Sequence, residues 1–197
     1  MATRRNPRFK ECRRLGVNVC GHPKAMKRAG DPAFKKTKKP SEYGKQLTEK
    51  QKVKAYYNIL ERQLKRYFDI ASRTEGKTGE ALIIKLECRL DNLVYRLGFA
   101  NSIRMARQLV SHGHITVDGK VINIPSYGVS VGEEIALAEK SRKNEQFKKC
   151  FFEMNKSPLD YIERDEANFS GKLTMLPQRD KIPVEINEQM VVEFYSK

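Results

Sequence analysis

Long apolar runs are missing from this sequence. Its 197 residues contain no stretch of the ~20 apolar residues that a transmembrane helix requires. No apolar segment of the kind found in secretory signals follows Met1, so we expect no such leader. The sequence therefore predicts a protein of the cytoplasm.

Cysteine is sparse and irregularly spaced. The four cysteines, Cys12, Cys20, Cys88 and Cys150, do not form the regular pattern of a small disulfide-stabilised domain. Free thiols in a reducing compartment are therefore expected.

The usual signatures of catalysis are also absent. The sequence contains no G-x-x-x-x-G-K-[ST] phosphate loop, no G-x-S-x-G nucleophile motif, no H-E-x-x-H zinc motif and no G-x-G-x-x-G dinucleotide motif. Acidic residues between positions 67 and 197 are scattered among lysines, as on a solvated surface. We therefore predict that the protein is not an enzyme and uses no cofactor.

Acidic residues are scarce in the first third of the chain. Residues 1–66 contain 20 lysines and arginines but 5 acidic residues, whereas residues 67–197 contain 19 of each type. The whole net charge of +15 therefore lies in the first third, and such a segment is expected to bind a polyanion. A membrane surface is the alternative partner, but the segment has few bulky apolar residues to insert into lipid. Nucleic acid is therefore favoured.

Residues 1–47 are rich in Lys, Arg, Gly and Pro and show little hydrophobic periodicity. We expect this segment to be unable to fold alone and to become ordered on its partner. Arginine outnumbers lysine near its start, and guanidinium groups bind phosphate in a bidentate manner and stack on bases, which favours RNA. These arginines are Arg4, Arg5, Arg8, Arg13 and Arg14.

A long amphipathic helix is predicted next. Thr48 and Gln51 fit a capping box that begins the helix, and apolar residues step by four and three over about five turns. This stripe consists of Val53, Tyr57, Leu60, Leu64, Tyr67 and Ala71. Glu61 and Lys65 are spaced to form an ion pair on the outer face. The basic residues of the polar side are Lys50, Lys52, Lys54, Arg62 and Arg66.

The aromatic residues of this helix allow two interpretations. They could stack on bases, but their helical spacing favours packing in a core. They are Tyr56, Tyr57, Tyr67 and Phe68.

The segment from Arg89 to Ile124 is the most informative part of the sequence. Apolar residues recur at helical spacing at its start, and Gly98 follows as a helix stop signal. Ser102 is placed to cap a second helix that ends at Gly113. Residues 115–117 and 121–122 alternate around Asp118-Gly119, a strong signal for a two-residue hairpin turn. We therefore predict two short helices followed by a β-hairpin.

The second helix of this segment has two different faces. Its apolar side is formed by Met105, Leu109 and Val110, and the opposite face is basic and polar. The residues of that opposite face are Arg104, Arg107, Gln108 and Ser111. A basic helix face beside a small sheet suits contacts with phosphates and base edges, although a solvated charged face is the simpler alternative for one helix alone.

Three further residues near these helices have simple interpretations. His112 and His114 lie on either side of the helix end, where a backbone or phosphate contact is favoured over catalysis. Asp91 falls in the first turn of the preceding helix and is assigned to compensation of the helix dipole rather than to general-base chemistry.

The remaining segments have less regular patterns. Residues 129–131 and 135–137 flank a turn and are predicted as short strands, and the charged residues 139–149 are compatible with a helix. Residues 155–183 are predicted to be an extended connector with short strands. At the C-terminus, Asn187 favours a helix N-cap while Val191-Val192 favours a strand, and the pattern leaves both open.

Cys12, Cys20 and His22 resemble part of a metal site. Zinc takes four ligands, commonly including two cysteines separated by two to four residues. Here seven residues separate the cysteines and no fourth ligand lies near them in the sequence. Unligated side chains are therefore favoured over a metal centre.

Motifs along the chain resemble a known family. The segment from Arg89 to Ile124 resembles the RNA-binding S-four domain, and the chain as a whole resembles bacterial small-subunit ribosomal protein four. The motifs are RRLG at 13–16, SEYGKQLTEKQK at 41–52, ERQLKRYFD at 61–69, RLDNLVYRLGFA at 89–100, ARQLVSHGHITVDG at 106–119, NIPSYGV at 123–129 and VEFYSK at 192–197. The S-four domain also occurs in pseudouridine synthases, tyrosyl-tRNA synthetases and heat-shock RNA binders, without this basic arm.

The resemblance implies an α+β fold in three parts. Residues 1–41 would form an extended basic arm, and residues 42–86 with 178–197 a helical domain. Residues 87–177 would be an inserted RNA-binding module and connector, with two helices and a small antiparallel sheet. This arrangement implies that the C-terminal segment is a helix.

The resemblance also implies a function in the ribosome. The family binds 16S rRNA early and directly at a helix junction of the 5′ domain, and contacts small-subunit protein five beside the mRNA entry channel. Some relatives repress translation of their own operon, so the chain's own mRNA is a further candidate partner. The residues predicted to bind RNA are Arg4, Arg5, Arg8, Arg13, Arg14, Tyr43, Lys45, Gln46, Lys50, Lys52, Arg62, Arg66, Arg96, Arg104, Arg107, Gln108, Ser111, His112 and His114.

Two points qualify the resemblance. Some family members carry four cysteines that bind zinc in the arm, whereas this chain has Phe9 near where another ligand would be expected and resembles the cysteine-poor form. An RNA-modifying enzyme fragment that uses the same module is the competing hypothesis. It requires a catalytic domain, and the 60 residues after Leu137 are too few and too plain to form one.

Overall fold

The computed structural model describes residues 4, 6–29, 40–153 and 159–196. The chain divides into two compact units. Residues 1–83 with 184–197 form one, which we call the helical unit, and residues 84–183 form the other, which we call the module.

The helices of the helical unit come from both ends of the chain. They are α1 (Arg8–Leu15), α2 (Glu42–Tyr56), α3 (Glu61–Ala71), the first part of α4 (Thr78–Glu87) and, in chain order after the module, α8 (Glu188–Tyr195). Among the residues that the structure describes, no helix is long and apolar enough to cross a membrane.

The module combines helices with a small sheet. Its elements are the end of α4, α5 (Leu90–Arg96), α6 (Ile103–Ser111), β1 (Ile115–Val117), β2 (Lys120–Val121), β3 (Glu134–Leu137), α7 (Glu145–Glu153), β4 (Ile162–Asp165) and β5 (Ser170–Leu173). The predicted α+β class, with two short helices followed by a small antiparallel sheet, is confirmed.

The basic arm contains a helix that the sequence analysis did not predict. α1 follows Pro7 and ends at Leu15, and the next residue, Gly16, has a left-handed φ of 74°, as is common just beyond a helix. Its inner side joins a small apolar cluster with α2. The cluster consists of Cys12, Leu15, Val19, Ala25 and Ala55. The members of this cluster are spread widely along the chain, so no periodicity within the arm predicts the cluster. The described part of the arm is therefore partly helical rather than extended throughout.

The single helix predicted from Thr48 onward is wrong in two respects. α2 begins earlier, where the Ser41 side chain accepts a hydrogen bond from the backbone N–H of Gly44 at 3.2 Å. Thr48 lies inside α2, and its hydroxyl donates to the Gly44 carbonyl at 2.7 Å. The chain then turns at Asn58, whose φ of 48° is left-handed, so that α2 and α3 are separate helices.

Glu61, at the start of α3, links three helices. Its carboxylate accepts hydrogen bonds from Lys50 at 2.9 Å and Lys54 at 2.8 Å, both on α2, and from the Tyr195 hydroxyl on α8 at 2.7 Å. It therefore pairs with α2 rather than with Lys65 on its own helix. Burial raises the pKa of Glu61, but these three donors outweigh it and hold the pKa at about 2.

The C-terminal segment is a helix, as the family resemblance implied. Asn187 caps α8 by accepting a hydrogen bond from the backbone N–H of Met190 at 3.2 Å. The side chain of Gln46 on α2 donates to Glu193 on α8 at 2.9 Å, and the Asn187 backbone N–H donates to Glu49 at 2.9 Å. Packing against α2 therefore overrides the strand preference of the two valines.

The sheet of the module has the strand order β2-β1-β3-β5-β4, and all neighbours are antiparallel. The predicted hairpin is confirmed, since Val117 pairs with Lys120 and both turn residues are left-handed, with φ of 46° at Asp118 and 77° at Gly119. The segment predicted as a connector with short strands supplies β4 and β5. Residues 129–131 form no strand, and the adjacent Gly128 makes only an isolated bridge with Arg89.

The core of the module lies between this sheet and the helices. Its members include Leu90, Leu93 and Val94 of α5, and also Phe99 and Phe151, whose rings stack at 4.6 Å. Gly171 on β5 passes so close to the side chain of Leu97 that a Cβ atom there would also lie 2.9 Å from the backbone oxygen of Glu163. Only glycine fits at that point of the sheet.

We expect Gly171→Ala to lower the free energy of unfolding of the module by about 1–3 kcal/mol, because the added methyl group overpacks the core. Gly128→Ala is the control, since a Cβ atom at Gly128 meets nothing within 4 Å. Urea denaturation of the full chain measures both variants. Equal stability of the two variants would contradict the close approach.

A second prediction concerns the acid limb of the stability curve. The folded pKa of Glu61 lies near 2, below the ordinary value of 4.5, so its contribution is complete above pH 4.5 and is lost as the pH falls towards 2. Glu61→Gln removes that contribution at every pH. We expect the wild type to be more stable than Glu61→Gln at pH 7 and the two to converge near pH 2 in thermal melts.

Glu75→Gln is the matched control, because Glu75 is exposed in the loop before α4. Its stability difference from the wild type should stay small and change little with pH. A constant difference between the wild type and Glu61→Gln from pH 7 to pH 2 would refute the role given to the Glu61 ion group.

Candidate nucleic-acid interface

The helical unit exposes part of its basic charge at the N-terminal end. Arg8 and Arg14 on α1 are exposed, Arg13 is half-buried, and Arg4 is buried in an ion pair with Glu11. The other exposed basic residues of this stretch are Lys10, Lys24, Lys27 and Arg28. Arg5, which was also predicted to bind RNA, lies outside the described residues.

On α3, the predicted basic face is confirmed as a surface. Arg62 and Arg66 are exposed and lie one turn apart, so both project from the same side of the helix. Tyr43, in the first turn of α2, is 57% exposed, and its ring lies 5.6 Å from that of Phe194. These three side chains are accessible to a polyanion.

Three predicted RNA-binding residues of α2 instead make contacts within the helical unit. Lys50 is buried, paired with Glu61, and its ammonium group lies 4.1 Å from the centroid of the Phe194 ring. Gln46 is buried against α8. Lys52 pairs with Glu49 at 2.6 Å.

The remaining predicted lysine of α2, Lys45, pairs with Glu42 at 2.5 Å. The pattern of apolar and polar residues does not predict these contacts, because the partners lie on other helices or are acidic neighbours on the same polar side of α2.

The aromatic residues of α2 and α3 pack inside the unit, as their spacing favoured. Tyr57 is buried, and Tyr56 packs against the apolar cluster of α1. The Phe68 ring lies 4.8 Å from that of Tyr195. Tyr67 is half-buried. The base-stacking alternative therefore has no support from Tyr57 or Phe68.

In the module, α6 has the two faces that its sequence predicts. Ser102 caps the helix by accepting from the backbone N–H of Met105 at 3.4 Å, and Leu109 and Val110 are buried. Gln108 and Ser111 on the other side are exposed, and Arg104 is half-buried. This face is accessible except at one position.

Arg107 is that position, and its predicted exposure is wrong. Its side chain is 9% exposed, and its Nη1 atom lies 3.7 Å from Oδ2 of Asp91. The same carboxylate accepts two hydrogen bonds from Arg89, at 3.0 Å and 2.7 Å. Burial raises the pKa of Asp91 and lowers that of Arg107, although each is opposed by the charge of the other. Asp91 thus forms the centre of a buried ion group, beyond the helix-dipole role assigned to it.

Arg96 is engaged by a second buried carboxylate. Its Nε atom donates to Glu87 at 2.6 Å, and the hydroxyl of Tyr161 donates to the same oxygen of Glu87 at 2.8 Å. Burial alone would raise the pKa of Glu87, but the Arg96 charge and these hydrogen bonds lower it overall. Nothing in the local sequence pattern shows that the polar groups of Glu87, Arg89 and Tyr161 face inward, so the sequence does not predict their role.

The two histidines after α6 have different surroundings. His114 is half-buried, with its Nδ1 atom 2.9 Å from the Ser141 hydroxyl and its ring 5.1 Å from that of Phe147. His112 is exposed, and its ring lies 6.2 Å from that of His114. Of the pair, His112 is the one accessible to a ligand.

The possible metal ligands of the arm do not form a closed site. The sulfur atoms of Cys12 and Cys20 lie 3.5 Å apart, but Nδ1 of His22 accepts a hydrogen bond from the backbone N–H of Lys24 at 3.1 Å. Over the described part of the chain, no group of three or more His, Cys, Asp or Glu side chains is arranged to hold a metal ion. The described part of the arm therefore brings two thiols together but not the four ligands that zinc takes.

Comparison of the sequence with known proteins identifies the family of the chain. A family model described as "S4 domain" matches residues 88–135, and one described as "Ribosomal protein S4/S9 N-terminal domain" matches residues 3–87. The chain is 51% identical over 199 residues to small ribosomal subunit protein uS4 of Finegoldia magna. It is 49% identical to uS4B of Clostridium acetobutylicum and 47% identical to uS4 of Geobacillus thermodenitrificans. Each alignment covers all of both chains.

The buried position of Arg107 yields a stability prediction. Arg107→Ala removes an interior charge contact to Asp91 while the Arg89 pair remains, and we expect it to lower the free energy of unfolding by about 1–3 kcal/mol. Gln108→Ala, at the exposed neighbouring position, should change stability by less than about 0.5 kcal/mol. Chemical denaturation checks both. Full stability of Arg107→Ala would show that the side chain is as exposed as the sequence suggested.

Proposed function

Because the chain belongs to the ribosomal protein S4 family, a structural and non-enzymatic family, we propose that it is a constituent of the small ribosomal subunit and binds 16S rRNA directly. In this proposal it binds early and organises the 5′ domain. It contributes to translational accuracy where it meets small-subunit protein five, and it acts in the cytoplasm. Residues 1–41, the helical domain of 42–86 with 178–197, and the module of 87–177 share this task.

The observation that carries the proposal is the exposed cationic surface of the helical unit. Arg8 and Arg14 on α1 and Arg62 and Arg66 on α3 are exposed to solvent. By contrast, the basic residues of the first third that are paired within the unit include Arg4, Lys50, Lys52 and Lys54. Exposed arginines are suited to phosphate, since each guanidinium group donates two parallel hydrogen bonds. The excess charge of the chain is therefore displayed at sites fitted to an RNA backbone.

The module adds a second surface of different chemistry. Gln108, Ser111 and His112 are exposed at and just beyond the C-terminal half of α6, with Arg104 half-exposed one turn before Gln108. Amide and hydroxyl groups hydrogen-bond to base edges and sugars as well as to phosphate. We assign the recognition of RNA shape and sequence to this face, and most of the electrostatic affinity to the helical unit.

A salt titration tests this division. Neutralising a phosphate contact releases counterions, so the logarithm of the affinity falls with the logarithm of the salt concentration by about 0.7–0.9 per contact. We expect the quadruple variant Arg8→Gln, Arg14→Gln, Arg62→Gln, Arg66→Gln to bind a 5′-domain fragment of 16S rRNA more weakly and with a shallower slope in filter-binding assays.

The matched control removes exposed charge elsewhere. Lys140→Gln with Lys143→Gln, both exposed in the module before α7, should leave the slope nearly unchanged. An unchanged slope in the quadruple variant would show that the helical unit does not lie on the RNA. In subunit reconstitution, the same variant should delay entry of protein five, and normal assembly at low magnesium would contradict the early role.

A further inference from the structure

The two cysteines of the arm lie side by side in the fold. Cys12 is on α1 and fully buried, and Cys20 lies in the turn that follows and is half-buried. Their sulfur atoms are 3.5 Å apart across a separation of eight residues. A pair at this distance needs only a small approach of the two sulfur atoms to form a covalent bond.

The surroundings give the two thiols different roles. Burial and, less strongly, the side chain of Cys20 raise the pKa of Cys12, the backbone N–H groups of Cys20 and Val19 lower it, and the net result is a pKa of about 11. Cys12 is therefore a protonated, shielded thiol at neutral pH. Cys20 is the one that a reagent in solution reaches first.

We propose that Cys12 and Cys20 form a reversible disulfide bond when the protein is exposed to a peroxide. The end of α1 and the turn that follows it would then be a redox modification site. The thiolate of Cys20 attacks one peroxide oxygen, becomes a sulfenic acid and releases hydroxide, which is protonated to water. Cys12 then gives up its proton, its sulfur attacks the sulfur of Cys20, and a second water leaves.

The two steps balance. Two thiols lose two electrons and two protons to give one disulfide, and one hydrogen peroxide is reduced to two waters. A dithiol reductant reverses the change by thiol–disulfide exchange. The backbone N–H groups of Val19 and Cys20 favour the anionic Cys12 sulfur that the second step needs.

The bond would close a short loop between α1 and the turn at Val19–Cys20. Arg8 and Arg14 are exposed on the same helix, so the cross-link acts on the scaffold that presents them. A disulfide restricts the unfolded chain more than the folded one. Oxidation should therefore make the arm harder to unfold without removing any of its positive charge.

Peptide mapping tests the proposal on the purified full chain. The reduced protein is treated with hydrogen peroxide, blocked with iodoacetamide under denaturing conditions and digested with trypsin without reductant. Trypsin cleaves after Arg13 and Arg14, so that Cys12 and Cys20 fall on different peptides and stay together only if a disulfide joins them. We expect the linked pair, its disappearance with dithiothreitol, and full alkylation of Cys88.

Variants and pH sharpen the result. Cys20→Ser should abolish the linked peptide and leave Cys12 alkylated, whereas Cys150→Ser should leave the link unchanged. Closure should quicken as the pH rises from 7 towards 9, because the fraction of Cys12 in the thiolate form grows towards its pKa of about 11. Dimedone should trap the sulfenic acid of Cys20 more readily at the lower pH.

Three results would overturn the proposal. One is oxidation of Cys20 to a sulfinic acid with Cys12 still free after mild peroxide treatment. Another is a cross-link from either residue to Cys88 or Cys150. The third is a stoichiometric metal ion that protects both thiols from peroxide and is lost in Cys20→Ser.

Discussion

The buried salt bridge between Arg89 and Asp91 holds the module in its shape. The guanidinium group of Arg89 donates twice to one carboxylate, and both side chains are almost completely shielded from water. Around this pair the backbone N–H groups of Leu90 and Asp91 donate to the carbonyl oxygens of Tyr127 and Pro125. The pair therefore fixes the start of α5 against the loop after the hairpin.

The same carboxylate also contacts α6, the helix that carries the proposed RNA-binding face of the module. Arg107 reaches the same carboxylate from α6, so the charge at Asp91 also sets how α6 lies on α5. Removing the Asp91 carboxylate would leave two interior guanidinium groups without a counterion, which costs far more than an exposed pair contributes. The exposed side chains of Gln108 and Ser111 thus lie on a helix whose orientation depends on buried charged side chains.

Local signals were sufficient for parts of this fold and insufficient for others. Gly98, Ser102 and Asp118-Gly119 each act through backbone geometry in their own neighbourhood, and the elements they delimit are found as predicted. The helix start predicted at Thr48 is wrong, because a threonine hydroxyl can also donate a hydrogen bond to a backbone carbonyl inside a helix, as it does here to Gly44. Arg107 and Lys50 face inward because each pairs with a carboxylate on another helix, Asp91 and Glu61 respectively. The periodicity of one helix contains no information on such a partner, so it assigns both charged side chains to the solvent-exposed face.

The strand order of the module also bears on whether other chains can extend its sheet. In the described part of the chain, β2 and β4 are the outer strands of the sheet, and outer strands can recruit strands from other chains. β2 is two residues long, and β4 carries Glu163, Arg164 and Asp165 in succession. A strand from another chain that paired with β4 would place its side chains beside the charged residues of β4. The short length of β2 and the charges of β4 thus oppose the addition of a further strand at either edge of the sheet.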